Sequence, residues 1–325
     1  MNKKIRIGLI GCGRVAENYI ISTENCGAAQ ITAVSGGRHA EELGERLGVP
    51  ALETDEICES ELTDALCVLT PPEFHYKYAI KAIQAGKHVL VEKPVSFSTG
   101  EIEKMILAAK ERGVVCMPGH SYLYLPEMIR IKNALHSGKL GVPSYLYMAE
   151  TYYMPPELSV KYTGPETDVL CHQLYMSLAF LGKPNKLAAF RTDACDSGMG
   201  TGGSQVSVMM EYGKGTLVHI LVSWAAEDHS SDPFTFKLKV IGTGGSMHFS
   251  RRDFVENTGT GYEQAMYQEM FDTEMKWFVQ ECIGKGRRPL STMEDAEEVC
   301  RLHGLVMESI RDGKVVNVDW GGIHV

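Results

Sequence analysis

The chain of 325 residues is 44% hydrophobic and 22% charged, globular values that exclude a disordered or collagen-like protein and predict about two domains. Its 32 Lys and Arg against 41 Asp and Glu leave a net charge of −9, which lacks the basic footprint of a nonspecific nucleic-acid binder and disfavours anionic membranes. Nine scattered cysteines with no Cys-x-x-Cys pair read as buried thiols of a reducing compartment, not as disulfides or a metal site.

The first apolar run, residues 5–10, ends at Gly11-Cys12-Gly13. It is too short for a signal or membrane segment and reads as a buried strand, so a cytoplasmic protein is expected. A helix from residue 15 follows, then a strand at 30–35 and a helix at 40–47. A third strand at 65–69 is stopped by Thr70-Pro71-Pro72. The remaining pattern is helix 73–85, strand 88–91, helix 98–112 and strand 114–117. Strands separated by helices of this length predict βαβ units and a doubly wound parallel sheet over residues 1–121. From residue 122 the pattern changes. A helix at 126–136 precedes alternating stretches at 142–151, 186–194, 205–212, 216–224 and 234–241, with a hairpin turn near Gly213. Two late helices, 262–283 and 294–311, complete it. Residues 122–325 are therefore predicted to form an α+β domain with a large, open, mostly antiparallel sheet.

Gly11-Cys12-Gly13-Arg14-Val15-Ala16 is a Gly-x-Gly-x-x-Ala turn directly after the first strand. Gly11 permits the tight turn, Gly13 lets a pyrophosphate approach the backbone, and Ala16 lets the helix pack close to the sheet. The helix N-terminus then faces the phosphates, which is the Rossmann dinucleotide-binding arrangement. The second strand ends Ser35-Gly36-Gly37-Arg38, without the acid that usually holds the adenosine ribose. A small residue with an arginine suits a 2′-phosphate and favours NADP over NAD, with both left open. Lys93, in Glu92-Lys93-Pro94, follows a buried strand at the carboxyl edge of the sheet, where a nicotinamide ring would sit.

The series Gly8-Leu9-Ile10-Gly11-Cys12-Gly13, Thr70-Pro71-Pro72-Glu73-Phe74-His75 and Ala85-Gly86-Lys87-His88-Val89-Leu90-Val91-Glu92-Lys93-Pro94 resembles the Gfo/Idh/MocA oxidoreductase family. That family includes glucose–fructose oxidoreductase and inositol dehydrogenase. Asp168-Val169-Leu170-Cys171-His172 matches the family's Asp-x-x-x-His pair at the start of a second-domain helix, a spacing that puts both side chains on one helical face. The resemblance implies a hydride transfer between NAD(P) and a sugar, cyclitol or related polyol. Lys93 and His172 would hold the reacting oxygen, one of them moving its proton, and Asp168 would orient His172 or grip a neighbouring hydroxyl. It adds Arg14, Val15, Thr70, Pro71, His75 and Glu92 to Gly11, Gly13, Ser35, Arg38 and Lys93 as cofactor contacts. Two places depart from the family. Tyr175 stands where many members have Asp, and Tyr122 and Tyr124 stand where Arg and Phe are common. His120, Tyr122, Tyr152 and Tyr175 are the candidate substrate contacts. The resemblance also implies a homodimer or homotetramer through the C-terminal sheet. Two other activities occur on this fold: glycoside hydrolysis with transient use of bound NAD, and cofactor sensing without catalysis.

Overall fold

The computed structural model describes residues 3–37, 39–159, 164–193, 204–213, 215–225, 235–250 and 262–320. The first half runs β1 (Ile5–Ile10), α1 (Ala16–Cys26), β2 (Ala29–Ser35), α2 (Ala40–Leu47), β3 (Ala51–Leu52), α3 (Thr54–Ile57) and β4 (Ala65–Val68). It continues through α4 (His75–Gln84), β5 (His88–Glu92), α5 (Thr99–Arg112) and β6 (Cys116–Gly119). These six strands pair in parallel in the order β3-β2-β1-β4-β5-β6. The order reverses between β1 and β4, the switch point at which such sheets bind ligands.

The central strands are apolar runs because both sheet faces are covered. All four residues of β4 and Val89, Leu90 and Val91 of β5 are buried. On one face Ala79, Ala82 and Ile83 of α4 and Ile102 and Met105 of α5 close the core. The expected parallel doubly wound sheet is present.

The second half contains α6 (Pro126–His136), β7 (Pro143–Thr151), α7 (Pro156–Ser159), α8 (Pro165–Asp168), α9 (Leu170–Leu181), β8 (Lys186–Asp193) and β9 (Ser204–Tyr212). Then come β10 (Thr216–Ser223), β11 (Thr235–Gly242), β12 (Gly245–Ser250), α10 (Tyr262–Lys276), a π-helical stretch Trp277–Ile283, α11 (Met293–Asp312) and β13 (Val316–Asn317). Seven strands form one sheet in the order β12-β11-β7-β10-β9-β8-β13. Only the β7–β10 pair is parallel, so the sheet is mixed but mostly antiparallel, as expected. Val206, Val208 and Met210 of β9 and Val218, Ile220 and Val222 of β10 are buried, each two residues from the last. The intervening positions point away from that core. Among them Phe190 of β8, Met209 of β9 and Leu217 of β10 are 69%, 37% and 42% exposed.

Contacts divide the chain into two compact units, 1–125 with 260–300, and 126–259 with 301–325. The sequence boundary at 121/122 assigned residues 260–300 to the second domain, and the structure corrects this. Their packing gives the reason. Phe271 of α10 meets Tyr19 of α1 edge-on at 5.3 Å between ring centroids. Asn18 donates to the Gln268 side chain at 2.8 Å, and Met293 and Ala296 join the α4–α5 core. Periodicity along the chain shows that a helix has an apolar face, but not which distant surface receives it.

Candidate active site

Within the first unit, the carboxyl ends of the adjacent strands β1, β4 and β5 carry the Gly11 turn, Thr70 and Lys93. Gly11 has φ +108, and a Cβ there would lie 2.7 Å from the Leu69 carbonyl carbon and oxygen. Only glycine fits that turn without strain. Its N–H donates to the Ser35 carbonyl at 2.8 Å, and Leu69 N–H donates to Ile10 O at 2.7 Å, so the turn is pinned between β2 and β4. Gly13 differs: a Cβ there meets nothing within 4 Å. α1 starts after Val15 with no side-chain cap. The Ser35 hydroxyl is buried and donates to Thr54 Oγ1 at 3.0 Å. Arg38 lies outside the described residues.

The turns after β4 and β5 are tied together by His75, the first residue of α4. Its Nε2 lies 2.6 Å from Thr70 O and its Nδ1 2.8 Å from Pro94 O. The Thr70 hydroxyl is buried without a partner among the described residues. Lys93 and Pro94 are joined by a cis bond, and Lys93 N–H donates to Glu92 Oε2 at 2.9 Å. The Glu92 carboxylate is buried, and its Oε1 accepts the Tyr19 hydroxyl at 2.8 Å. His120 is also buried, with Nδ1 2.6 Å from Ser291 Oγ. Burial, reinforced by the Lys93 charge, pushes its pKa down to about 3. The structure thus gathers Gly11, Gly13, Thr70, His75, Glu92, Lys93 and His120 at one end of one sheet. Tyr122 lies buried in the 3-10 turn Ser121–Tyr124. Tyr19, Glu274 and Ser291 had no sequence signal: they read as ordinary helix and loop positions.

In the second unit the Asp168–His172 spacing does not fall on a single continuous helix. Asp168 ends α8 and His172 lies in the first turn of α9, with Val169 between them at φ −99. His172 is buried, and its Nδ1 lies 2.7 Å from Tyr175 Oη. The tyrosine that departs from the family pattern therefore touches the histidine itself. Next to His172 in the chain, the Gln173 amide donates to the buried Glu150 carboxylate of β7 at 2.8 Å. Tyr152 follows β7, and its hydroxyl accepts Trp224 Nε1–H at 3.0 Å. Neither Glu150 nor Gln173 carries a sequence signal, because a single acid inside an apolar strand or an amide inside an apolar helix forms no motif.

Among the described residues no group of three or more His, Cys, Asp or Glu side chains is arranged to hold a metal. None of the described helices is long and apolar enough to cross a membrane. The eight cysteines among the described residues are free thiols. Burial pushes the Cys116 thiol to about 12 and those of Cys58 and Cys282 to about 11.

Residues 5–120 match the model of the Gfo/Idh/MocA oxidoreductase family with an NAD-binding Rossmann fold, and residues 128–248 match the C-terminal domain of the same family. The chain belongs to the Gfo/Idh/MocA family. It is an oxidoreductase of the dehydrogenase and reductase type that uses NAD or NADP. Over 98% of both chains this member is 24% identical to scyllo-inositol 2-dehydrogenase (NAD(+)) of Bacillus subtilis. It is 30% identical to 1,5-anhydro-D-fructose reductase of Ensifer adhaerens over 159 residues, 47% of each chain, so that match spans about half of the relative. The myo-inositol dehydrogenase structure from Corynebacterium glutamicum superposes with a TM-score of 0.84 at 18% identity, covering 98% of this chain and 100% of that one. At that identity the likeness speaks for the fold.

The family's nicotinamide dinucleotide fits the residues present. Gly13 leaves open space where a phosphate would approach, α1 offers an uncapped N-terminus, and Thr70 presents a buried hydroxyl with no partner among the described residues.

Proposed function

We propose that this protein interconverts an alcohol and a carbonyl, or a hemiacetal and a lactone, on a sugar, cyclitol or related polyol with NAD(P). The observation that carries the reading is the placement of Lys93 directly after β5, beside the switch point of a sheet whose first turn is the Gly11–Gly13 loop. The relatives named for inositol and anhydrofructose chemistry support a polyhydroxylated substrate. Gly11, Gly13, Arg14 and Val15 hold the pyrophosphate, and Thr70, Pro71, His75, Glu92 and Lys93 line the nicotinamide end. Ser35 and Arg38, with no acid beside them, favour NADP at the adenosine ribose.

The bound nicotinamide supplies the hydride acceptor or donor. The chain's own residues handle the proton and the charge. Lys93 as an ammonium polarises a carbonyl or steadies an alkoxide. His172 moves the hydroxyl proton, a role suited to a side chain whose ordinary pKa is near 6.5. Asp168 orients His172 or holds a neighbouring hydroxyl. Tyr175 holds the Nδ1 side of the ring, with His120, Tyr122 and Tyr152 as further substrate contacts. The 126–259 unit carries the substrate and assembles as a homodimer or homotetramer through its sheet.

The test is fluorescence titration with NADH and NADPH, followed by a panel of sugars and inositols watched by cofactor absorbance. Lys93→Met is expected to keep cofactor binding and lose turnover by at least about 100-fold, the scale of one general acid–base or electrostatic group. Unchanged turnover would remove Lys93 from the mechanism. Aglycone release without net cofactor change would replace the redox reading with hydrolysis.

A further inference from the structure

Three buried groups of the first unit meet at one point, and the mechanism above uses only one of them. Tyr19 Oη lies 2.8 Å from Glu92 Oε1 and 3.1 Å from Glu274 Oε2. Tyr19 and Glu274 are fully buried, and Glu92 is 8% exposed. A phenol has one hydrogen. It can donate to one carboxyl, but it bonds the second only by accepting a hydrogen from it. The three groups therefore need one extra proton, held on one of the two acids.

Glu274 is the acid that holds it. Its Oε1 meets no donor among the described residues. An ionised carboxylate left so bare in a core is costly, whereas a neutral acid leaves only a carbonyl oxygen. Glu92 has the opposite surroundings, because its Oε2 accepts Lys93 N–H at 2.9 Å. Burial raises the Glu274 pKa well above the carboxylate range, and the Glu92 charge adds to that. Cys67 and Tyr124 are the other titratable neighbours, and burial raises both, keeping them neutral. The hydrogens then run one way: Glu274 donates to Tyr19, Tyr19 to Glu92, and Glu92 accepts the Lys93 amide.

We propose that Glu274 and Tyr19 are positioning residues for the Glu92–Lys93 turn, acting through a proton-sharing chain that fixes the Glu92 carboxylate beneath the Lys93 backbone. The consequence for catalysis rests on the reading of Lys93 given above, but the chain itself does not. It also assigns a purpose to α10, which reaches the first unit from more than half the sequence away.

The test uses the full chain labelled with 15N-lysine, the Lys93 amide being assigned by the peak lost in Lys93→Arg. Tyr19→Phe is expected to speed hydrogen exchange of the Lys93 amide about 10-fold, since a bond to a charged acceptor loses its support. Glu274→Gln keeps a donor toward Tyr19 and should leave that exchange within about twofold of wild type, whereas Glu274→Leu should match Tyr19→Phe. Thermal melting checks that each variant folds. Unchanged exchange in Tyr19→Phe overturns the proposal, and so does fast exchange in Glu274→Gln, which would mean an ionised Glu274. If Tyr19→Phe does not fold, infrared spectra decide. A protonated-carboxyl stretch in wild type that disappears in Glu274→Gln supports the chain, and its absence from wild type refutes it. Retained turnover in Lys93→Met would sink the catalytic reading of Lys93 while leaving the exchange result intact.

Discussion

A histidine whose two ring nitrogens both face carbonyl oxygens has one hydrogen too few when neutral. His75 is in that position, between Thr70 O and Pro94 O. Its two carbonyl partners raise its pKa, but burial outweighs them and the net shift is downward. His88 is also lowered by burial, and its Nδ1 accepts Val115 N–H at 3.0 Å, which requires an unprotonated nitrogen. His120 goes furthest, to about 3. These shifts have one sign. A histidine that is neutral when folded but charged when unfolded binds more protons unfolded, so stability is full above about pH 6.5 and falls as pH drops toward the folded pKa. For His120 that window runs from about 6.5 down to about 3. Within it each such histidine adds a slope of up to about 1.4 kcal/mol per pH unit. Urea unfolding across the pH range should show this decline, and His120→Asn should remove one proton from the slope between about pH 6 and pH 4. A slope unchanged by His120→Asn would mean that His120 is not held neutral.

At the scale of the element, the β1–α1 turn separates two uses of glycine. Gly11→Ala places a Cβ against the Leu69 backbone at a positive φ, so it is expected to destabilise the fold by about 1–3 kcal/mol. Gly13→Ala places its methyl in open space and should leave melting unchanged while NADH binding weakens at least about 10-fold. Melting curves and fluorescence titrations on both variants check this. Equal loss of stability in the two would contradict it. Elements of this kind were legible because their reasons are local. Strand β1 ends at its glycines, and α2 and α6 occupy the ranges 40–47 and 126–136 that the pattern along the chain implied. Two-residue strands such as β3 and β13 leave no period to read. The break at Val169 was hidden for a related reason: an i, i+4 spacing records separation along the chain, not whether the helix between stays continuous. The Lys93 motif was visible in sequence, while its supports at Tyr19 and Glu274 were not. Those two residues lie 255 positions apart, and no local rule relates them.

For the whole molecule, the exposed face of the seven-stranded sheet bears on assembly. Phe190, Met209 and Leu217 lie outward on the neighbouring strands β8, β9 and β10. Apolar side chains grouped on one open face favour contact with a second copy of that face. Phe190→Glu combined with Met209→Glu is expected to shift the protein to a smaller species in sedimentation velocity, with melting little changed. A wild-type chain that sediments as a monomer at micromolar concentration would refute self-association through this face. The net charge of −9 has a related consequence at the cofactor. If the Gly11–Gly13 turn holds a nicotinamide dinucleotide as proposed, the overall field gives its dianionic pyrophosphate no attraction, and backbone N–H groups with few cations would have to supply its affinity.

The return of α10 to the first unit also matters while the protein is being made. The nucleotide-binding sheet leaves the ribosome complete by residue 125, yet the helix that covers Tyr19 follows only after residues 126–259 have been synthesised. At typical elongation rates that interval is on the order of ten seconds. During it the partner-seeking face of α1 stands open to chaperones or to premature aggregation. A fragment cut at residue 125 would lack α10 and the Met293 and Ala296 part of the α4–α5 core, leaving the surfaces they cover exposed.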